Sequence, residues 1–484
     1  MPSFLLPCVP LFPLLAAALL TGAKRRQTLG QLLLVLGTLL VLLLTAQTVF
    51  TASPIESLVF RLDALSGAIA LTVALIGGIV LRFSLRQMAD DQAREKFLLA
   101  MGAALTGVLV MLLASNLLLL YFGWFGSSYF LHQLLTHFRH REKALEAARQ
   151  KFWVSRIGDA FLIAGMGVLW FSFGTLEFQT LFAKLADPEL TPDAQVLTAA
   201  ALLFAGGALT KSAQIPFHGW LPNTMETPTP VSALMHAGIL NAGGYLMLRL
   251  HPLLEAAPLS LTLLAVVGGM SALVASCVML TQTTVKRSLA YSTIAQMGFM
   301  LLQCGLGAYV SAVVHIVGHA FYKAYAFLSS PSTTDFAKLQ RYFPPARAKN
   351  GVWGPFLALL STSGLIFLCV WALGLAGLLT PARAGLLLIL ALALAQVLLS
   401  TPQRLLNLRL ALSMVLLYAL ALTGARAFLR GVFAEGPSTG QVSPVVVLVA
   451  VGCFLLVFLF QNNLYWISRS ELGKRLYVRA LNKG

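Results

Sequence analysis

Charge is what this sequence has least of. Lys, Arg, Asp and Glu together make up 11% of its 484 residues, while apolar types make up 58%; soluble globular chains carry about 25% charged residues. A water-soluble enzyme or binding domain is excluded on that ground. Acid is scarcer than base, with 17 Asp and Glu against 34 Lys and Arg. In a soluble chain such an excess would suggest nucleic acid. Here the basic residues flank apolar runs, where they act as topology signals, so no nucleic-acid partner is expected. Cysteine is sparse and scattered: Cys8, Cys277, Cys304, Cys369 and Cys453 stand singly in apolar stretches with no CxxC pair. Neither a disulfide framework nor a structural zinc site follows, and the thiols read as packing residues. Long polar segments are missing too. The stretches 138–156, 176–194 and 331–352 are too short to bury a core, so no soluble domain or linker is expected. The opening MPSFLLPCVPLFPLLAAALL has no basic leader and no clear small-residue cleavage site, and is read as a retained first span.

What is present is a series of apolar runs. About 20 apolar residues cross the hydrocarbon core. The runs place spans near 4–22, 29–50, 60–82, 98–122, 124–137, 157–175, 195–215, 231–250, 259–281, 288–306, 309–330, 353–379, 385–400, 410–425 and 444–467, the fifth and thirteenth being short. An outside N-terminus puts most of the Lys and Arg on the cytoplasmic side: Lys24 to Arg26, the basic residues of 82–96, 139–156 and 331–352, Lys286 and Arg287, Arg404 and Arg409, and the tail after Arg469. This is the asymmetry of the positive-inside rule, and it puts the C-terminus in the cytoplasm. The basic tail suits an anionic lipid surface as well as a stop signal.

A few ionisable residues remain at depth: Lys211, His236, His315, His319 and Lys323, with Asp63 and Asp159 near span ends. Each costs several kcal/mol at the bilayer centre, so a functional role is the default, against the plainer reading that a group snorkels or satisfies a helix end. Lys211 precedes Pro216, which lacks an amide donor and must interrupt the helix. His218 falls in the interrupted stretch, and WLP at 220–222 breaks it again. Interrupted backbone at depth is tolerated where it faces protein or a wet cavity, so Lys211 is expected to border water. In HIVGHAFYKAYAFL, His315, His319 and Lys323 recur every four residues and share one helix face. Two imidazoles and an ammonium in line suit a proton relay, because either imidazole nitrogen can carry the proton. HxxxH could also present metal ligands, but no Asp, Glu or Cys joins that face and Lys323 would repel a cation. No nucleophile–base pair, nucleotide loop or metal-ligand set points to an enzyme, so the chain is read as a transporter subunit with no cofactor of its own.

The stretches KSAQIPFHGWLPNTMETPTPVSALMHAG and KRSLAYSTIAQMGFM resemble the antiporter-like membrane subunits shared by complex I and Mrp cation/proton antiporters, over residues 60 to 330. Within that family LHQLLTHF, EAARQKFWVSRIGD, NAGGYLMLRL and GHAFYKAYAFLSS look most like the DabB-type subunits of DAB inorganic carbon transporters. The resemblance implies an all-α polytopic membrane protein of about 15 transmembrane helices, an antiporter-like fold with two inverted five-helix repeats and broken helices. It divides the chain into N-terminal helices (1–97), a first repeat (98–250), a second repeat (259–425) and a C-terminal helix with basic tail (426–484). It implies a cation pathway through Lys211, His236, Lys286, Asp159 and the 315/319/323 face, with Asp63 as a further acid. It implies a bacterial inner-membrane location and a DabA-like peripheral zinc protein on the cytoplasmic face, similar to carbonic anhydrase, whose work H+ or Na+ flux would drive. The loops 139–156 and 331–352 are the expected docking surfaces. Three departures stand out. Phe125 follows Trp124 where the family has a glutamate. The twelfth span carries no lysine, and no long amphipathic helix follows the fifteenth. Asp159 or Asp63 is expected to replace the missing acid. A subunit of a respiratory, hydrogenase or Mrp complex and a non-conducting membrane anchor are the alternatives.

Overall fold

A computed structural model describes residues 2–139, 141–330, 353–372, 380–399, 404–433 and 443–462, with Glu471 and Arg475. It is a helical bundle in which each of the fifteen apolar runs carries helix. Leu6–Leu11 is a 3-10 helix leading into α1 (Phe12–Leu20); Pro7, Pro10 and Pro13 remove amide donors and hold the first turns to this tighter form. Then come α2 (Lys24–Thr51), α3 (Ala64–Gln87), α4 (Arg94–Leu113), α5 (Leu117–Leu135), α6 (Glu142–Phe173), the short α7 (Phe178–Ala186) and α8 (Ala194–Lys211). They are followed by α9 (Thr229–Ala237), α10 (Ala242–Arg249), α11 (His251–Glu255), α12 (Pro258–Met279), α13 (Val285–Gly305) and α14 (Tyr309–Leu328). The last four are α15 (Gly354–Ala372), α16 (Pro381–Leu399), α17 (Arg404–Phe428) and α18 (Pro444–Asn462). Among the described residues ten helices are long and apolar enough to cross a membrane. Helices suit this solvent because they satisfy every interior backbone group within the segment.

The bundle has a definite centre. The segment Thr229–Arg249 is 100% buried, whereas the apolar windows of α15 and α17 are 17% and 11% buried. A segment enclosed on every side can hold polar groups that lipid would not tolerate. Leucine faces such as Leu360, Leu368, Leu417 and Leu420 lie open around the rim, as a lipid-facing surface requires.

Four boundaries differ from those read off the sequence. The fourth span ends at Leu113 rather than 122, because the side chain of Asn116 accepts from the Leu119 amide and starts a new helix there, a strong N-cap. The region 139–156 is helical from Glu142 rather than a loop: Ala144, Ala147 and Ala148 recur at helical spacing and are buried. At 1.5 Å per residue this helix is roughly 48 Å long, so its first turns extend past the bilayer core and its later ones enter it. The eighth span is two helices, α9 and α10, separated by a 3-10 turn at Ile239–Asn241, where Gly238 takes a non-helical backbone. The seventh span stops ahead of its proline. Ala213 adopts a left-handed φ of 50°, and the Gln214 amide reaches back to the Leu209 carbonyl at 2.9 Å, the pattern of a Schellman C-cap. The expected second break, near 353–379, falls partly outside the described residues, and the loop 331–352 and nearly all of the basic tail lie outside them.

Candidate functional site

The end of α8 is held against α5 and α6. Small residues allow the approach: a Cβ on Gly207 would overlap Leu162, and one on Gly158 would overlap Thr210, so the α6 and α8 backbones pack at small-residue distance. This delivers Lys211, 7% exposed, to α5. Its Nζ donates to the Trp124 carbonyl at 3.0 Å, Ser127 Oγ at 3.2 Å and Ser128 Oγ at 2.8 Å. It also lies 4.5 Å from the centre of the Trp124 ring. An ammonium has three protons, and three neutral oxygens take them. No described carboxylate lies within ion-pair distance of it. Asp159, the expected substitute acid, is buried on α6 and bound to Arg156 at 2.6 Å. The Arg156 guanidinium stacks 4.5 Å over Phe125, so the ring standing where an acid was expected anchors the cation that holds Asp159.

A second polar series runs through α9, α13, α14 and α17. His236, fully buried, lies flat against Phe327 with ring centres 4.3 Å apart, and its Nδ1 is 2.9 Å from Thr293 Oγ1. That hydroxyl donates to the Leu289 carbonyl at 3.0 Å. Nδ1 therefore carries the hydrogen, and Nε2, buried without a hydrogen-bond partner, is the bare nitrogen. The same Leu289 carbonyl accepts from Lys323 Nζ at 3.0 Å. Next on that face is His319, 5% exposed with neither ring nitrogen hydrogen-bonded, and its ring centre is 6.2 Å from that of His315. The series ends in neutral bonds: His315 Nδ1 to Gln303 Oε1 at 3.0 Å, Gln303 Nε2 to Ser311 Oγ at 2.9 Å, and Ser311 Oγ to Tyr418 Oη at 2.7 Å. Because the amide oxygen can only accept, His315 also keeps its hydrogen on Nδ1. Both imidazoles thus hold Nε2 as the nitrogen able to take a proton.

The structure brings together His236, Lys323, His319 and His315, and separately Lys211 with Asp159 nearby on α6. Between the two groups Ser212 Oγ donates to the Leu240 carbonyl at 3.0 Å, and Gln214 Nε2 lies 3.4 Å from the Ile294 carbonyl, tying the α8 break to α13 and the turn before α10. Pro216 is exposed and His218 half-buried, so the interrupted stretch reaches the protein surface close to Lys211. Lys286 donates to the Thr227 carbonyl at 3.2 Å in the turn before α9. Asp63 lies apart from both groups. It caps α3 by accepting from the Ser66 amide at 2.9 Å and forms a two-pronged ion pair with buried Arg249, at 2.5 and 3.1 Å.

Sequence reasoning passed over Arg249, Gln303, Tyr418 and above all Lys151. Lys151, 4% exposed, donates to the Ser128 carbonyl at 2.6 Å. The sequence reading places it among the cytoplasmic charges of 139–156, although Ala144, Ala148 and Lys151 share one helical face, a signal available in the sequence.

Residues 114–344 match the family described as NADH:quinone oxidoreductase/Mrp antiporter, TM. The probable inorganic carbon transporter subunit DabB2 of Halothiobacillus neapolitanus is 35% identical over 410 residues, covering 84% of this chain and 73% of its own length. NADH-quinone oxidoreductase subunit L of Mycobacterium tuberculosis is 37% identical over 291 residues, covering 59% of this chain but 45% of its own length. Among solved structures, the Mrp complex from a Dietzia species aligns with a TM-score of 0.64 and 22% identity, over 96% of this chain and 56% of the matched one; at that identity the likeness speaks for the fold.

Proposed function

The chain belongs to the complex I/Mrp antiporter-like family of multi-pass membrane subunits, and from that premise we propose that it is the cation-conducting subunit of an energy-coupled inorganic carbon transporter in a bacterial inner membrane, with its N-terminus outside. The conducted ion is H+. Lys211 is the exchanging group and the His236, Lys323, His319 and His315 series is the relay. A DabA-like zinc protein on the cytoplasmic face performs the carbon chemistry that the flux drives. The observation that carries the reading is the setting of Lys211, a buried ammonium beside an interrupted helix with three neutral oxygens and, among the described residues, no carboxylate in contact. Nothing fixes its charge permanently, and the bare Nε2 of His236 and His315 offers further sites on the relay. The carbon-transport assignment draws on the DabB2 relative, which covers 84% of this chain against 59% for subunit L.

Lys211→Met tests it. The variant is expected to assemble with the subunits that co-purify with the wild type from native membrane, yet lose inorganic carbon accumulation and the proton flux driven by an imposed pH gradient in proteoliposomes. Full uptake by the variant would remove Lys211 from the mechanism. Flux that follows a Na+ gradient and ignores a pH gradient would reassign the ion. The subunit L relative favours a second reading, membership of a respiratory or Mrp-type complex, which co-purification of quinone-binding or iron–sulfur subunits would establish.

A further inference from the structure

Lys151 and Lys211 come from different helices, α6 and α8, and meet on one residue of a third. Lys211 Nζ takes Ser128 Oγ at 2.8 Å while Lys151 Nζ takes the Ser128 carbonyl at 2.6 Å. Both side chains are more than nine-tenths buried, and no described carboxylate lies within ion-pair distance of either. The other charged or titratable groups facing this pair are few. On α6, Arg156 and Asp159 bind one another. On α5 stand Tyr121 and His132. On the elements beyond, Glu226, before α9, pairs with Arg141, and Arg249 on α10 pairs with Asp63, away from the two lysines. Two buried like charges sharing one residue are therefore uncompensated except through the already engaged Asp159.

We propose that Lys151 is the group that sets when Lys211 gives up its proton, a lysine performing by repulsion the control that a carboxylate beside Lys211 would perform by attraction. A proton arriving on Lys151 raises the cost of the charge on Lys211 across Ser128, so Lys211 releases its proton toward the His236 relay; when Lys151 returns its own proton to the side it came from, Lys211 takes up the next one. The proton that sets Lys151 arrives along α6, whose first turns extend past the bilayer core, and with Phe125 at that position of α5 no carboxylate there holds both ammoniums in place. Lys151 is a positioning residue in this scheme, acting through the charge of Lys211. The inference rests on Lys211 being the exchanging group.

The test is the pH profile of proton flux in proteoliposomes containing the full chain with its co-purifying subunits. Lys151→Gln and Lys151→Met remove the repelling charge, so Lys211 holds its proton to higher pH, and the half-maximal point moves up by about one to two pH units, the effect of one nearby like charge in a protein interior. Lys151→Arg keeps the charge and leaves the point at or below the wild-type value. The expected order is arginine, then wild type, then glutamine or methionine. Coinciding profiles, or the reverse order, overturn the inference while Lys211→Met still abolishes flux; flux surviving in Lys211→Met overturns the reading beneath it instead. Should methionine prevent assembly, the glutamine and arginine variants carry the same comparison, and loss of flux in all three, the charge-keeping arginine included, marks Lys151 as structural and overturns the inference.

Discussion

Replacing Asp63 with asparagine separates a brace from a pathway. Asp63 has two tasks at the start of α3: it caps the helix through the Ser66 amide, and it binds Arg249 through both carboxylate oxygens. Arg249 also donates from Nε to Tyr245 Oη at 3.2 Å, and that hydroxyl donates to the Leu112 carbonyl at 2.6 Å, so α3, α10 and α4 are joined through one network. Asn caps as well as Asp, so Asp63→Asn leaves the cap and removes only the charge, turning an amide N–H toward a guanidinium N–H. With the pair's side chains 12% and 7% exposed, breaking one side should cost about 3–5 kcal/mol. Asp63→Ala should cost about 1 kcal/mol more for the lost cap. Replacing both residues, as in Asp63→Asn with Arg249→Met, should be less damaging than either single change predicts, because no buried charge is left alone. Unfolding by titration with SDS reads the energies, and proton flux under conditions where each variant stays folded reads the function. The brace account expects lowered stability with flux retained. An Asp63→Asn protein of wild-type stability that conducts nothing would refute it and return Asp63 to the pathway.

Gln303→Leu frees the Nδ1 hydrogen of His315 and unties Ser311 from α13; flux should fall at least several-fold while SDS stability changes by only about 1 kcal/mol, the worth of an ordinary hydrogen bond, and a variant with unchanged flux would show that the His315 tautomer is irrelevant. Ala213→Gly removes the cost of a left-handed alanine and should stabilise the protein by about 1 kcal/mol, measured by the same titration. Gly207→Leu forces α8 away from α6 and should abolish flux with Lys211 itself intact, with assembly followed by size-exclusion profile. At the turn between α3 and α4, burial acts to raise the Asp91 carboxyl, but hydrogen bonds from His137 at 3.0 Å and the Ala93 amide hold it below its usual value. A lowered folded value means this contact stabilises above about pH 4 and weakens as pH falls further, so the protection of residues 88–93 against hydrogen exchange, corrected for the intrinsic rate at each pH, should be steady from pH 8 to 5 and fall only below that.

Much of the architecture was legible in the sequence because lipid imposes a simple rule. A segment that crosses must be apolar over about 20 residues and satisfy its own backbone, so all fifteen runs could be placed from hydropathy alone. The interruption after Lys211 was legible from Pro216, though the helix ends at Lys211, four residues before the Ile215 that a proline argument gives, because the left-handed turn at Ala213 depends on what packs around it. The break between α9 and α10 was marked only by Gly238 in a continuous apolar run, and hydropathy does not register it. The His315, His319 and Lys323 face followed from a spacing of four, which is a property of one helix.

By itself, then, the sequence determined that the protein is a membrane-embedded helical bundle and which rare ionisable side chains lie within it, since both follow from local composition and the cost of charge in hydrocarbon. Only the tertiary structure decided how those side chains are paired. That Lys151 faces Lys211 across Ser128, that Asp159 is bound to an arginine resting on Phe125, and that Asp63 braces Arg249 are contacts between residues up to 186 positions apart. Such pairings are set by which helix faces meet, and small residues such as Gly158 and Gly207 settle that through close packing, which no single segment's pattern contains.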